Sequence, residues 1–155
     1  MGSVINISNQ LLEKNESAWD KLANVLLRAE GVDQCFGYLA LEDNGKMSYC
    51  ALGYIAKKVG YSDKNLRFGM LFPFRPRILE KYGFDKEERS KKRMCPEDGC
   101  KYTGRLGCMM THLNDHHRIP IPEIGRRIRK IRDDKRKLPS SWKRLIYSFE
   151  DYGCY

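Results

Sequence analysis

The segment CPEDGCKYTGRLGCMMTHLNDHH, from Cys95 to His117, holds three of the six cysteines of the chain and all three of its histidines. Thiolate and imidazole are the donors a zinc ion takes, and a site needs them brought close together. The series Cys95-x4-Cys100-x11-His112-x4-His117 lies near the two-Cys, two-His finger spacing, one residue short before the first histidine. A Cys-bearing knuckle would supply two thiolates and one helix two imidazoles about a turn apart, closing a tetrahedral Zn2+ site whose binding contributes to folding. His116, at the shorter permitted spacing, and Cys108, in a three-Cys, one-His set, are alternates for the fourth ligand. The competing reading, reduced core cysteines beside surface histidines, leaves the clustering unexplained. A catalytic zinc keeps a coordination position open for water and a carboxylate beside it. Asp115 could serve as that base, but four or five donors fill the shell, so a closed structural site accounts for more of the residues.

With His112 as the seventh residue of a finger helix, the positions that usually face bases are Arg105, Cys108 and Thr111, and of these Arg105 is the strong base reader. One finger covers about three base pairs, too few for autonomous recognition. More has to come from the basic helix that follows. In IPIPEIGRRIRKIRDDKRK, Ile121, Ile124, Ile128 and Ile131 recur at helical intervals while Arg126, Arg127, Arg129, Lys130 and Arg132 occupy the other face. Such a helix, stapled behind a zinc module, offers cations to the phosphate backbone of DNA or RNA, or to a nucleoprotein. The plainer alternative is a solvated face on a helix whose isoleucines pack on the core.

The charge distribution points the same way. The chain carries a formal +9 over 155 residues. Residues 1–84 have 11 Lys/Arg against 9 Asp/Glu, a surplus of +2; residues 85–155 have 18 against 11, a surplus of +7. A basic half that also holds the metal-binding segment suits a phosphate-rich partner, although a surplus can serve solubility alone. The 41% hydrophobic fraction fits a globular chain, and no apolar run nears the roughly 20 residues of a membrane span. The opening MGSVINISNQ lacks the features of a secretory signal, so a cytoplasmic setting with all six cysteines reduced is expected.

These groups need elements to hold them. In residues 9–29, Trp19, Leu22, Ala23, Leu26 and Leu27 stand at helical spacing, with Gly31 as a stop. An extended run then leads to Asn44-Gly45, the signature of a tight hairpin turn, and a short return enters a helix through Ile55 and Val59. Pro73 and Pro76 break GMLFPFRPRILEKYGF into a loop and a short helix from about Pro76. Asp85 to Arg93 reads as a solvated helix end or a linker. A closing helix with Trp142, Leu145, Ile146 and Phe149 is expected to pack back on the core. The fold class is α+β: a small helix-hairpin-helix core over 1–84, a zinc-finger-like module with its basic helix over 85–135, and a C-terminal helix over 136–155.

QCFGYLALEDNGKMSYCALGYIAKKVG together with the later HLNDHHRIPIPEIGRRI resembles a group of small uncharacterised phage and prokaryotic proteins. In these a Trp-bearing helix precedes a Tyr-Cys-x-Leu-Gly segment and, later, a Leu-Asn-Asp turn and helix. Gln34, Gly37, Leu39, Tyr49, Cys50, Leu52, Gly53, Leu113, Asn114, Asp115 and Ile124 carry the match, over about residues 15–131. The resemblance implies a small α+β core with Cys50 buried in it, and Asn114 and Asp115 capping a helix end or binding backbone groups. The basic helix and the extra cysteines depart from that group.

The resulting expectation is a non-enzymatic, zinc-stabilised protein of viral or mobile-element type that binds nucleic acid or a nucleoprotein. The alternative is a protein-interaction adaptor in which zinc is purely structural and the loop Phe72 to Phe74 docks a protein partner. An enzyme using Cys35 or Cys50 as nucleophile lacks a base, since every histidine sits in the cluster.

Overall fold

The computed structural model describes residues 16–68 and 75–138. Their elements run α1 (Ala18–Leu27), β1 (Ala40–Asp43), β2 (Lys46–Tyr49), α2 (Ala51–Lys58), α3 (Asp63–Phe68), α4 (Arg75–Lys81), α5 (Lys86–Ser90), β3 (Arg93–Met94), β4 (Thr103–Gly104), α6 (Leu106–Asp115) and α7 (Ile121–Asp133). The architecture is α+β, with the strands confined to two antiparallel hairpins. None of the described helices is long and apolar enough to cross a membrane.

Ser17 starts α1. Its hydroxyl oxygen accepts from the Asp20 N–H at 3.2 Å, satisfying one of the orphan amides of the first turn. Trp19, Leu22, Ala23 and Leu26 are buried as their spacing requires, while Leu27 is half-buried at the helix end. The expected start near residue 9 lies outside the described residues. In the first hairpin Asp43 pairs with Lys46, and the two residues between them, Asn44 (φ +51°) and Gly45 (φ +77°), both take the left-handed conformation of a type I′ turn. Cys50 then caps α2, its Sγ accepting from the Gly53 N–H at 3.3 Å. Gly53 is required there because a Cβ would sit 1.8 Å from the Leu39 carbonyl oxygen.

The core is closed by α7 lying along α1. Ile121, Ile124, Ile128 and Ile131 are all buried, as the interval of three and four predicts. The two backbones come close because the crossing residues are small: a Cβ on Gly125 would lie 2.9 Å from the Ala23 carbonyl oxygen and 3.0 Å from the Leu27 nitrogen. Leu52 and Ile55 of α2 and Leu106, Met109, Met110 and Leu113 of α6 fill the space beside this pair.

The charged stretch 85–93 holds a short helix, α5, capped by Asp85, whose carboxylate accepts from the Glu88 N–H at 2.8 Å. Arg93, at its far end, is buried. Its guanidinium lies over the Trp19 ring, 4.6 Å from the centroid, and donates to Glu88 at 2.6 Å. The Phe72 to Phe74 loop and the helix expected around Trp142, Leu145, Ile146 and Phe149 fall outside the described residues.

Candidate metal centre

The second hairpin builds half of the site. Arg93 pairs with Gly104 and Met94 with Thr103, and the Cys95 N–H extends the ladder by donating to the Tyr102 carbonyl at 2.9 Å. Between them PEDG turns back on itself: Gly99 takes φ +74°, and the Cys100 N–H donates to the Glu97 carbonyl at 3.2 Å. This knuckle turns both sulfurs toward α6, which starts at Leu106.

The two imidazoles come from residues five apart, His112 within α6 and His117 just past its C-cap, His116. An ordinary α-helix places position i+4 above position i, and His116 does stack over His112, with centroids 5.0 Å apart and planes within 13°. His117 reaches the site because the last turn widens: its N–H donates to the His112 carbonyl at 3.3 Å, an i→i−5 bond. Arg118, at φ +51°, then turns the chain away from the helix axis. Cys95, Cys100, His112 and His117 thereby place one donor atom each within 4.8 Å of one another, an arrangement that can hold a metal ion. Cys95 Sγ lies 3.5 Å from His117 Nε2, and Cys100 Sγ lies 3.3 Å from His112 Nε2. Cys95 is buried and the other three are half-buried.

The surroundings fit that use. Tyr102 stacks on His112 at 3.9 Å with the planes 10° apart, fixing the ring. Burial, reinforced by the neighbouring His117 and His116, pushes the His112 pKa down to about 4, so its ring is neutral and keeps a lone pair near neutral pH. Burial pushes the Cys95 thiol up to about 12, with Cys100 adding to the effect. A bound cation reverses that preference, because a coordinating thiol is deprotonated outright.

The alternates separate from the four. His116 is exposed and outside the donor group. Cys108 is buried at 4% exposure on the inner side of α6 and lies outside the donor group. Cys35, Cys50, Cys95 and Cys100 carry free thiols. Burial removes Cys108 from any base-reading role. Arg105 is the N-cap residue of α6 and half-buried, and the Thr111 hydroxyl donates to its own helix at Gly107. Seven residues of α6 are buried, so this helix packs inside the protein over most of its surface.

The cations of α7 are largely neutralised within the chain. Arg126 pairs with Glu123, and Arg127 with Glu123 at 3.0 Å and with Glu97 of the knuckle at 2.7 Å. Arg129 lies 3.6 Å from Asp20 and donates to Asn24 at 2.9 Å. Arg132 reaches Asp20 at 3.1 Å and Asp133 at 2.8 Å. Lys130 forms no ion pair among the described residues. The spacing of these residues gave no sign that Asp20, on the first helix, would face the last one.

Next to the candidate donor His112 on α6 lies a polar hub. Asn114, fully buried, accepts from Gln34 Nε2 at 2.8 Å and from the Ala51 N–H at 3.0 Å, and donates to the Cys35 carbonyl at 3.0 Å and to Asp115 at 2.7 Å. Asp115 in turn accepts from the Gly37 N–H at 3.1 Å. Gln34 Oε1 accepts from the Ile121 N–H at 3.2 Å. One side chain therefore supports the start of α2 and, through Gln34, the start of α7. Asn114 and Asp115 do bind backbone groups. Comparison with family models, with curated proteins and with solved structures finds no match to this chain.

Proposed function

We propose that the chain is a zinc-stabilised protein, of viral or mobile-element type, that binds nucleic acid or a nucleoprotein through its basic C-terminal half and has no catalytic role. The observation that carries the reading is the convergence of Cys95, Cys100, His112 and His117 beside the helix richest in arginine. Two thiolates and two imidazoles at the corners of a closed set favour zinc, which takes tetrahedral Cys2His2 coordination without geometric demands of its own. Bonds of about 2.3 Å to sulfur and 2.0–2.1 Å to nitrogen give a tetrahedral S–N edge of about 3.6 Å. The edges at 3.5 and 3.3 Å suit that value. The two hairpin strands and α6 would then form a finger-like module docked on the core, with zinc as its staple and α6 as its support, not its reading head.

The non-enzymatic reading draws on the thiols outside the cluster. Burial raises the Cys35 pKa and pushes that of Cys50 up to about 12, which leaves neither as a thiolate nucleophile. The resemblance to phage and prokaryotic proteins carried by the Tyr49 to Gly53 and Leu113 to Asp115 motifs supports the viral or mobile-element part of the reading. A second reading, the adaptor with purely structural zinc, is favoured by the ion pairs that occupy Arg126, Arg127, Arg129 and Arg132. One titration separates them. Zinc-loaded protein should bind labelled DNA or RNA with an affinity that falls steeply with salt, since each neutralised phosphate releases about 0.7–0.9 of a counterion. Folded, zinc-loaded protein with no measurable binding to either at low salt would leave only the adaptor.

A further inference from the structure

The carboxylates that neutralise α7 are unevenly placed. Glu123, Glu97 and Asp20 serve the arginines along its length, but the balance changes past its end. A cleft of about 400 Å3 opens between residues 91–94 and residues 131–138. Lys91, Lys92, Arg93, Arg132, Lys135 and Arg136 line it, against a single acidic residue, Asp134. Arg136 already holds Asp134 through contacts at 3.0 and 2.6 Å. Arg93 is held by Glu88, and Arg132 by Asp20 and Asp133. Lys91 and Lys135 are exposed and form no ion pair among the described residues.

The floor of this cleft includes Met94 and Ile131, both buried. A recess lined by one sign of charge over apolar walls focuses the field and concentrates counter-ions. The hollow on the other side of Arg136 differs. There Asp98, Asp133 and Asp134 face Lys130 and Arg136, so it has no surplus of positive charge to offer a phosphate.

We propose that the cleft between residues 91–94 and 131–138 seats backbone phosphates of a nucleic acid, and that Lys91 and Lys135 are the main phosphate contacts in place of the outward face of α7. This rests on the nucleic-acid reading above and gives that reading its site. Phosphodiester oxygens entering the cleft would meet Lys91 and Lys135, neither of which is held in an ion pair among the described residues, although the charge of Lys135 is felt by Asp133. Lys130, next to three carboxylates, contributes less.

The test compares two double variants of the zinc-loaded chain, Lys91→Gln/Lys135→Gln and Arg126→Gln/Lys130→Gln. Fluorescence anisotropy is measured with labelled single-stranded DNA, single-stranded RNA and duplex DNA across a salt series. Zinc content and thermal unfolding establish that each variant is folded, which two exposed, unpaired lysines should allow. For the cleft variant the slope of log affinity against log salt should shrink by about 1.4–1.8, two phosphates at 0.7–0.9 each. The α7 variant should change it by less than half as much. An unchanged slope in the cleft variant, or equal losses in the two, overturns the cleft while the nucleic-acid reading stands. Absence of binding by the parent protein at the lowest salt overturns both.

Discussion

Replacing Asn114 by alanine should cost the fold about 3–5 kcal/mol. The side chain is fully buried, and its removal strands two backbone groups that are themselves out of water: the N–H of Ala51, which is fully buried, and the carbonyl of Cys35, a residue 5% exposed. Each buried polar group left without a partner costs about 1–3 kcal/mol, and the small cavity adds to the sum. Gln34, less buried, can turn its amide to water and adds little. Against a usual total of about 5–15 kcal/mol, such a loss is a large share of the stability. Urea unfolding of zinc-saturated protein, followed by circular dichroism, measures it. Asn114→Asp provides the control of shape. It keeps the acceptor for Ala51 but loses the donor to Cys35 and sets a second carboxylate against Asp115, so it should rescue nothing. A loss below about 1 kcal/mol for Asn114→Ala would refute the hub, because it would mean that those two groups find other partners.

Three further outcomes follow from the geometry. Metal analysis should find about one zinc per chain in the parent protein, none after Cys95→Ala or His112→Ala, and an undiminished content after His116→Ala or Cys108→Ser. Metal-free protein should lose thermal stability on acidification: with the His112 pKa near 4 in the fold and about 6.5 unfolded, protonation favours the unfolded chain. This contribution is complete above about pH 6.5 and disappears as pH falls through 4, and His112→Gln should flatten that part of the curve of melting temperature against pH. Finally, Gly125→Val should destabilise by about 1–3 kcal/mol in chemical unfolding, since the helices must move apart around Ala23 and Leu27.

Local signals were readable wherever one segment decides its own conformation. Asn44-Gly45 specifies its turn by its need for positive φ, and the isoleucines of α7 declare a buried face by their period. The Cys and His spacing points to a group that could hold a metal ion because the knuckle is local, whereas the choice of His117 over His116 turns on a widened last turn. What the sequence hid is non-local. Asp20 and Arg132 are separated by most of the chain, and nothing in either neighbourhood announces their ion pair. The burial of α6 had a signal that the finger reading passed over: Leu106, Met109, Met110 and Leu113 stand at i, i+3, i+4 and i+7, a core-facing stripe, and Gly107, Cys108 and Asn114 extend the buried surface beyond it. The role of Asn114 was visible only through the Leu-Asn-Asp resemblance, because an asparagine in a helix gives no sign by itself of which distant backbone groups it will satisfy.

The clasp of α1 by α7 also bears on the order in which the molecule is made. The contacts through Ala23 and Gly125 join segments about a hundred residues apart, and such closures form slowly because chain entropy must be given up before the contact returns any energy. On the ribosome, α1 appears about a hundred residues before α7. Trp19 can meet Phe84 and Arg93 in the meantime, but Leu22 and Leu26 lack their α7 cover until Ile128 and Ile131 have cleared the exit. Over that interval the chain exposes part of an amphipathic helix, the kind of surface that invites a chaperone or a neighbouring nascent chain.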